Sequence, residues 1–364
     1  MKVALVGLGN AGAELHLPAL AGLPGAEIVG LCDTDGPRLK TVSSRLRVSG
    51  FDDFDHLLDQ AQPEVVIVAT PPATHVDYCL RSLAAGAHVV CEKPFATSVA
   101  DADRVLTAAG AAGRQVALNH EFRAMPIFDA LRNHIGRPDV GDLVTAQLWQ
   151  LMDLPPWAEA GWRGAMRTAS FYEGGIHLID YALYLFDEPP VAVSATMSTC
   201  GVEDWQSDAV TVATLEFSRG RIAHIVQNRL CRGETQYFEV RADCRSASLR
   251  ASYGGRIRVT GGLHRSPRPT IRLEYGLAGL GWVERGHERK TFGRNPRNAP
   301  MVATRLLLER TLRAFQDGGR PPADGQAGRL ALEVLAACYD SAATGQRVVL
   351  DEERRAALAR QPLG

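Results

Sequence analysis

The stretch Val3-Ala4-Leu5-Val6-Gly7-Leu8-Gly9-Asn10-Ala11-Gly12 sets the architecture of the first part of this 364-residue chain. Its four apolar residues predict a buried strand, and Gly7, Gly9 and Gly12 follow with the spacing G-x-G-x-x-G. In this motif the first glycine permits a tight turn, the second lets a pyrophosphate approach the backbone, and the third allows close helix packing. We therefore predict a strand, a phosphate-binding turn and a helix whose beginning favours negative charge.

Asp33 ends the next apolar run, residues 26–32, 21 positions after Gly12. An acidic residue at this point of a dinucleotide-binding unit hydrogen-bonds the adenosine ribose and repels a 2′-phosphate. NAD is therefore the predicted cofactor, favoured over NADP. The alternative is that Asp33 only caps the following helix.

Apolar runs alternate with helical patterns through the first third of the chain. Strands are predicted over 2–7, 26–32, 64–70, 88–91 and 115–119. Helices are predicted over 10–23, 57–60, 75–85 and 101–113. Continuous apolar strands separated by helices are typical of a parallel sheet covered on both faces. The predicted fold of residues 1–122 is therefore α/β, a doubly wound parallel sheet.

Residues 123–364 show a different pattern of shorter, alternating segments. Strands are predicted over 144–152, 191–199, 209–217, 221–228, 237–242, 246–251 and 256–260, and helices over 176–186, 304–317 and 329–344. The alternation predicts an open, mainly antiparallel sheet with one wet face, hence an α+β domain. The Gly-, Arg- and Pro-rich residues 261–300 are expected to form an irregular excursion from that sheet.

Composition narrows the classes of function. The chain is 46% hydrophobic with a net charge of −1, which gives no reason to expect nucleic acid or a membrane surface as a partner. Seven scattered cysteines without a C-x-x-C pair argue against a zinc site or a disulfide framework. No apolar run approaches the ~18 residues of a membrane helix. We therefore expect a cytoplasmic protein without a metal site.

Two segments follow predicted strands at the edge where ligands bind. They are Glu92-Lys93-Pro94 and Thr70-Pro71-Pro72, the latter continued by His75, and ligands of open parallel sheets bind at the carboxyl ends of the strands. Only four of the 40 basic residues are lysines, and lysine, unlike arginine, can lose its proton when desolvated. Lys93 is therefore a candidate catalytic group. For the second segment, a plain turn with Thr74 as helix N-cap is the alternative.

Taken together, these features resemble the glucose–fructose oxidoreductase/inositol dehydrogenase family, Gfo/Idh/MocA. The resemblance continues in Asn119 with Phe122-Arg123, Trp162-Arg163, Gly174-Gly175-Ile176-His177-Leu178-Ile179-Asp180, and a closing segment over 325–349. It implies a Rossmann domain, then a domain whose open sheet forms homo-oligomer contacts, in a dimer or tetramer. It also implies an NAD(H)-dependent oxidoreductase that acts on a secondary alcohol or ketone of a sugar, sugar derivative or cyclitol.

The resemblance implies that Lys93 lies beside the nicotinamide, with His177 across the substrate. Imidazole is suited to take the hydroxyl proton as hydride leaves, and Lys93 would stabilise the oxygen. The Lys93–Pro94 peptide is expected to be cis, as proline permits. The alternative for His177 is a residue that merely begins a helix in a polar cleft.

Glu173 departs from the family pattern, which places an aspartate four positions before the histidine. If one α-helical turn joins Glu173 and His177, Glu173 could still position substrate or orient the ring, but its longer side chain leaves the substrate open. Asp180 would contact substrate or brace His177, with a solvated helix acid as the alternative. For Trp162 and Arg163, substrate contact competes with packing or a surface ion pair.

The predicted site has three parts. The predicted catalytic residues are Lys93, His177 and Glu173. The predicted cofactor-binding residues are Gly7, Leu8, Gly9, Asn10, Ala11, Gly12, Asp33, Thr70, Pro71, Pro72, His75, Glu92 and Lys93. The predicted substrate-binding residues are Lys93, Asn119, Trp162, Arg163, Glu173, His177 and Asp180, although Asn119 and Arg123 fit a structural role equally well. Two other functions stay open: an NAD-recycling lyase or hydrolase acting through transient oxidation, and a non-catalytic nucleotide-binding sensor or partner subunit.

Overall fold

A computed structural model of the protein describes residues 1–153, 170–201, 208–233, 235–254 and 279–363, with the backbone of 259–260 and 272–273. Two large sheets organise this part of the chain. The first is formed by the amino-terminal third, and the second by strands that begin after residue 142. No helix in the described ranges is long and apolar enough to cross a bilayer.

Six parallel strands form the first sheet, in the spatial order β3-β2-β1-β4-β5-β6. They are β1 (Lys2–Val6), β2 (Glu27–Cys32), β3 (Gly50–Phe51), β4 (Val65–Val68), β5 (His88–Cys91) and β6 (Val116–Leu118). This is the doubly wound order, whose direction reverses between β1 and β4 and leaves a ligand crevice there. The predicted α/β fold is confirmed, although β3 was not predicted.

Helices cover both faces of the first sheet. They are α1 (Leu17–Leu20), α2 (Gly36–Leu46), α3 (Phe54–Ala61), α4 (Pro72–Ala84) and α5 (Val99–Ala112), and α2 was not predicted. The residues before α1, Ala11–His16, form a π-helix, in which the Leu17 N–H bonds to the Gly12 carbonyl oxygen. The predicted helix over 10–23 is therefore divided into a π and an α segment and ends earlier.

Nine strands form the second sheet, in the order β16-β15-β12-β11-β7-β10-β9-β8-β17. They are β7 (Leu143–Leu151), β8 (Ala192–Ser198), β9 (Val210–Glu216), β10 (Ile222–Asn228), β11 (Gln236–Cys244), β12 (Ser248–Tyr253), β15 (Leu280–Arg285), β16 (Glu288–Arg294) and β17 (Val348–Val349). The short pair β13 (Val259–Thr260) and β14 (Arg272–Leu273) stands apart. Among the described strands of this second sheet, only β7 and β10 pair in parallel, so the predicted mainly antiparallel sheet is confirmed.

One part of the second-domain prediction is wrong. Residues 261–300 were expected to be irregular, but β15 and β16 pair as antiparallel strands that extend the sheet. Charged residues dominate β16, which obscures its strand pattern and is typical of an edge strand. Trp282 of β15 lies within 5.4 Å of the guanidinium carbons of both Arg250 and Arg289, so arginines stabilise this edge through its aromatic ring.

Helices of the second part of the chain join the two sheets. They are α6 (Pro126–His134), α7 (Ile176–Phe186), α8 (Ala299–Asp317), α9 (Gly325–Thr344) and α10 (Glu352–Leu358). Leu308, Leu312 and Phe315 of α8 belong to the same buried cluster as Val3 and Leu5 of β1. The first sheet is therefore stabilised by a helix from the far end of the chain, and the boundary at residue 122 stays a prediction.

Candidate active site

The turn after β1 has the geometry that its glycines predict. Gly7 has a φ of +90°, and a Cβ there would lie 2.5 Å from the Ala69 carbonyl oxygen. A Cβ on Gly12 would lie 2.0 Å from the Gly7 carbonyl oxygen, so both positions require glycine. At Gly9, by contrast, no atom lies within 4 Å of where a Cβ would stand. This open position leaves room for a pyrophosphate to approach the backbone, as NAD requires.

Asp33 follows β2 at the same edge, with its carboxylate buried. The carboxylate accepts hydrogen bonds from the N–H groups of Leu8, at 2.6 Å, and Asp35, at 2.7 Å. The Arg38 guanidinium lies 3.4 Å away. The alternative that Asp33 caps the next helix is wrong, because the N-cap of α2 is Asp35, which accepts from the Arg38 N–H. Asp33 instead ties the glycine turn to the end of β2.

The buried ring of His75 hydrogen-bonds to the loop after β4. Its ring is fully buried, with Nε2 2.8 Å from the Thr70 carbonyl oxygen and Nδ1 2.9 Å from that of Pro94. Thr74 is not the N-cap of α4, because Pro71 occupies that position, so this alternative is also wrong. His75 therefore joins the loop after β4 to the turn after β5, and its predicted cofactor contact stays a prediction.

The carboxylate of Glu92 is buried at the end of β5 and is held ionised by its neighbours. Its Oε1 lies 2.7 Å from His16 Nε2 and accepts a 2.7 Å hydrogen bond from the Asn119 amide. Burial alone would raise the pKa of Glu92, but the His16 hydrogen bond and the charges of His16 and Lys93 bring it down to about 2. Glu92 also accepts from the Lys93 N–H at 3.2 Å, so it fixes the backbone from which Lys93 extends.

Lys93 reaches from the first sheet to the second domain. Its peptide bond to Pro94 is cis, as predicted, and its Nζ donates a 3.1 Å hydrogen bond to the Glu173 carbonyl oxygen. An ammonium has three N–H donors, so this bond orients the group and leaves donors for a bound oxygen. The structure thus brings two of the predicted catalytic residues together, although through the backbone of Glu173.

The residues before α7, Phe171–Gly175, form a single π-helical turn. The N–H groups of its N-cap, Ser170, and of its first residue, Phe171, donate to the Asp208 carboxylate at 3.2 and 2.7 Å. A Cβ on Gly174 would lie 2.0 Å from a guanidinium nitrogen of Arg229, directly after β10, so glycine is required for this close packing. Hydrogen bonds of a π turn span five residues. Glu173 lies in this π turn and His177 in the α-helix that follows, so the predicted contact between their side chains stays a prediction.

His177 lies in the first turn of α7 and is 5% exposed. Its ring packs edge-on against Phe122, with centroids 4.9 Å apart. Burial lowers the pKa of His177 well below its usual range, and the positive charges of Lys93 and Arg229 lower it further. The imidazole is therefore neutral at neutral pH, the state required to accept a proton.

His120 and Glu121, which sequence analysis did not single out, complete the site. Both follow β6 and are buried, and Glu121 Oε2 lies 3.9 Å from His177 Nδ1. Burial and the carboxylate of Glu92 raise the pKa of Glu121 to about 8, while burial lowers that of His120 to about 4. Their position directly after a strand of the first sheet was the available signal, because it places them at the ligand edge.

Asp180 forms a buried ion pair with Arg123. Two guanidinium nitrogens donate to its two oxygens, at 2.9 and 2.6 Å, and a third donates to the Pro322 carbonyl oxygen at 2.9 Å. Asp180 is 1% exposed, so the alternative of a solvated helix acid is wrong. It also lies 3.6 Å from His120 Nε2. The pair therefore braces α7 against the turn after β6, which is the structural role foreseen for Arg123.

The buried Asn119 amide donates a hydrogen bond to the Glu92 carboxylate, which also accepts from the Lys93 N–H. Its predicted substrate contact stays a prediction. Trp162 and Arg163 lie outside the described residues. Across the ranges that the structure does describe, no group of three or more His, Cys, Asp or Glu side chains could hold a metal ion.

Two family models match this chain. The model described as "Oxidoreductase family, NAD-binding Rossmann fold" matches residues 1–120. The model described as "GFO/IDH/MocA C-terminal domain" matches residues 128–248. The predicted family, the NAD-binding Rossmann domain and the oxidoreductase class are thereby confirmed.

Individual relatives are distant but similar over much of their length. D-glucoside 3-dehydrogenase of Escherichia coli (strain K12) is 26% identical over 61% of this chain and 68% of its own length. The 1,5-anhydro-D-fructose reductase of Ensifer adhaerens is 26% identical over 90% of this chain and 92% of its own. The crystal structure of aldose-aldose oxidoreductase from Caulobacter crescentus, complexed with glycerol, superposes with a TM-score of 0.79 at 22% identity, over 96% of this chain and 99% of that one. At this identity the structural likeness establishes the fold alone.

Proposed function

This chain belongs to the Gfo/Idh/MocA family of NAD-binding oxidoreductases, and from that premise we propose that it oxidises a secondary alcohol of a sugar, sugar derivative or cyclitol, or reduces the matching ketone. The observation that carries this proposal is the hydrogen bond from Lys93 Nζ to the Glu173 carbonyl oxygen. It joins the ligand edge of the first sheet to the beginning of α7, where His177 lies four residues later. A polyol oxygen between Lys93 and His177 would meet both a cation and a neutral base.

The residues of the first domain fit NAD. Gly9 offers open backbone for the pyrophosphate, and Asp33 lies beside the place of the adenosine ribose. When bound, NAD supplies the nicotinamide carbon that accepts or returns a hydride. The protein then has to bind the alcohol, exclude water and move the hydroxyl proton.

We assign the protein's part of the chemistry to two side chains. His177, neutral at neutral pH, removes the hydroxyl proton as the carbon–oxygen bond becomes a carbonyl. Lys93 donates a hydrogen bond to the same oxygen and stabilises its developing negative charge. In the opposite direction the protonated ring returns the proton. Glu173 positions substrate from the π turn.

The substrate class rests on the names of the relatives. They include a dehydrogenase of glucosides, a reductase of an anhydro sugar and an inositol 2-dehydrogenase of Salmonella agona. Each of these names refers to a polyhydroxylated compound. We therefore expect this chain to accept a compound with several hydroxyl groups, one of which lies between Lys93 and His177.

A panel of glucosides, inositols, aldoses and anhydro sugars, followed by NADH absorbance with NAD and NADP in parallel, tests the proposal. We expect turnover of at least one member with NAD. Tight NAD binding without turnover of any member would favour the non-catalytic sensor. A new sugar product formed without net NADH would instead favour the NAD-recycling lyase or hydrolase.

Asp33→Asn is expected to narrow the preference for NAD over NADP about tenfold, because the substitution removes a charge that repels a 2′-phosphate. The amide oxygen can still accept the Leu8 N–H, and Arg38, 3.4 Å from the native carboxylate and paired with Asp35 at 3.0 Å, lies close enough to meet the phosphate. Calorimetric Kd values for both cofactors measure the effect. Arg38→Ala added to Asp33→Asn should cancel the gain in NADP affinity. An unchanged ratio in Asp33→Asn would contradict the role of Asp33.

We also propose that the open face of the second sheet joins copies of this chain. Val212, Val226 and Trp149 are paired neighbours on β9, β10 and β7, and they alternate with buried residues, so their side chains form one apolar row on the outer face. Val212 is 47% exposed. An apolar row of this kind on a wet face is typical of an interaction surface.

Val212→Lys is expected to convert the assembly into a monomer of 39.3 kDa, because it places a charge in the middle of the row defined by Val212, Val226 and Trp149. Light scattering during size-exclusion chromatography measures the mass. Val191→Lys, equally exposed but outside the row, is the matched control and should leave the mass unchanged. A monomeric wild-type protein would refute the proposal.

A further inference from the structure

The carboxyl group of Glu121 is a buried titratable group that the mechanism above does not use. Glu121 begins the 3₁₀ turn Glu121–Ala124 after β6, and its side chain is 10% exposed. Its Oε2 faces Nδ1 of His177 at 3.9 Å, and that nitrogen has no hydrogen-bond partner among the described residues. A buried ring nitrogen without a partner is unusual in a folded protein. The carboxyl group of Glu121 is therefore the candidate hydrogen-bond partner of this nitrogen.

The groups around Glu121 come from four elements. Burial raises the pKa of Glu121, Glu92 at the end of β5 and Asp180 on α7 raise it further, and Lys93 lowers it. Burial also raises the pKa values of Tyr237 on β11 and Tyr253 on β12, and the charge of Glu121 raises them further.

His177 faces the cations Lys93 and Arg229, and beside them His120, which is neutral at neutral pH because burial lowers its pKa to about 4. The cations disfavour a second proton on the ring, while burial and Glu92 favour a proton on Glu121. When Glu121 and His177 share one titratable proton, the Glu121 carboxyl group holds it and the His177 imidazole is neutral.

We propose that Glu121 is the positioning residue of His177 and the final acceptor of the proton that the ring removes from the substrate hydroxyl. The inference rests on the proposed function. The 3.9 Å separation is about 1 Å longer than a hydrogen bond, and catalytic hydrogen bonds in ligand-free sites tighten when substrate binds. Glu121 then has the role of the carboxylate that orients a catalytic histidine through the far nitrogen of its ring.

The proton and electron balance of the step is complete. In alcohol oxidation the substrate O–H bond breaks and His177 Nε2–H forms, while Nδ1–H breaks and the Glu121 carboxyl O–H forms. Bound NAD would supply the acceptor for the hydride, which takes the electron pair of the C–H bond at the carbinol carbon. The imidazole begins and ends neutral, so no second charge develops beside Lys93 and Arg229. Ketone reduction runs through the same bonds in reverse.

This relay fixes the sign of the pH dependence. Oxidation needs the ionised carboxylate, so kcat/KM should rise as pH rises through about 8. Reduction needs the protonated carboxyl group, so its rate should fall through the same range. His177 does not contribute to this limb, because its own pKa lies well below its usual range.

Glu121→Gln is expected to lower kcat/KM for oxidation about tenfold to a hundredfold above this pKa and to remove the limb near pH 8. Glu121→Asp should restore the limb at reduced rate. Glu188→Gln is the matched control and should behave as wild type; Glu188 lies between α7 and β8 and accepts hydrogen bonds from Ser218. Retention of the limb in Glu121→Gln, or an effect on KM alone, would overturn the proposal.

A measurement without substrate separates this inference from the proposed function. In ¹⁵N-histidine-labelled protein, NMR should show the His177 proton move from Nε2 to Nδ1 as pH rises through about 8, because Glu121 changes from donor to acceptor. The change should be absent in Glu121→Gln. A constant tautomer in the wild type would overturn the relay. A tautomer change in a protein that turns over no member of the polyol panel would support the pair and refute the proposed function.

Discussion

Lys93→Met is expected to lower kcat about a thousandfold while the Kd for NAD changes less than about threefold. The substitution keeps the length of the side chain but removes the ammonium that would hydrogen-bond the reacting oxygen. Cofactor affinity should survive, because the glycine turn and Asp33 directly follow β1 and β2, whereas Lys93 follows β5. Steady-state kinetics and calorimetric NAD binding measure the two quantities.

Lys290→Met is the matched control for this experiment. Lys290 lies on the edge strand β16 with an exposed side chain, and its loss should leave both quantities unchanged. Turnover by Lys93→Met within tenfold of the wild type would remove Lys93 from the mechanism. The residual activity of the Lys93→Met variant allows a further test, because the charge of Lys93 lowers the pKa of Glu121 in the wild type. Without that charge, the limb of alcohol oxidation should move to higher pH.

The regular elements of this chain could be predicted because their signals are local. The predicted span of α7 matches the structure, residues 176–186, since an apolar run of helical length needs no distant partner to identify it. The strand β5 was likewise predicted with its observed bounds. The short strand β3 could not be predicted, because two residues carry no periodicity and pairing with β2 alone defines them.

The site was only partly predictable, because its contacts join distant residues. Lys93 and His177 were identified from strand position and family pattern, but the structure links Lys93 to a backbone oxygen, which no side-chain pattern can reveal. The partner of Glu92 is His16, 76 residues earlier in the chain. Position at the edge of the sheet marks a residue as a candidate, whereas pairing depends on packing in three dimensions.

The π turn that contains Glu173 was not predicted from the sequence. The prediction assumed an α-helical turn between Glu173 and His177, since apolar residues continue into α7. The N–H groups at the start of this segment instead donate to Asp208, which lies on a different segment of the chain. Tertiary hydrogen bonds therefore support a wider turn than the local sequence predicts.

His177→Ala is expected to lower kcat by ~10²–10⁴ at neutral pH, the usual contribution of a positioned acid or base. The variant leaves a space beside Phe122, where the native ring packs, and added imidazole should occupy it and restore part of the rate. His134→Ala removes a histidine from α6, outside the site, and should keep wild-type kinetics. Wild-type kinetics in His177→Ala at neutral pH would exclude the acid/base assignment.

A double-mutant cycle then decides whether His177 and Glu121 act as one unit. If Glu121 accepts the proton only through the ring, Glu121→Gln should have no further effect on kcat once His177 is alanine. If the carboxyl contacts substrate independently, the two fold-losses in kcat should multiply, so that their activation free-energy changes add. The 3.9 Å separation of Glu121 Oε2 and His177 Nδ1 places them well within the range where mutational effects couple. Additive free-energy changes in this cycle would therefore refute the relay, even if each single variant is slow.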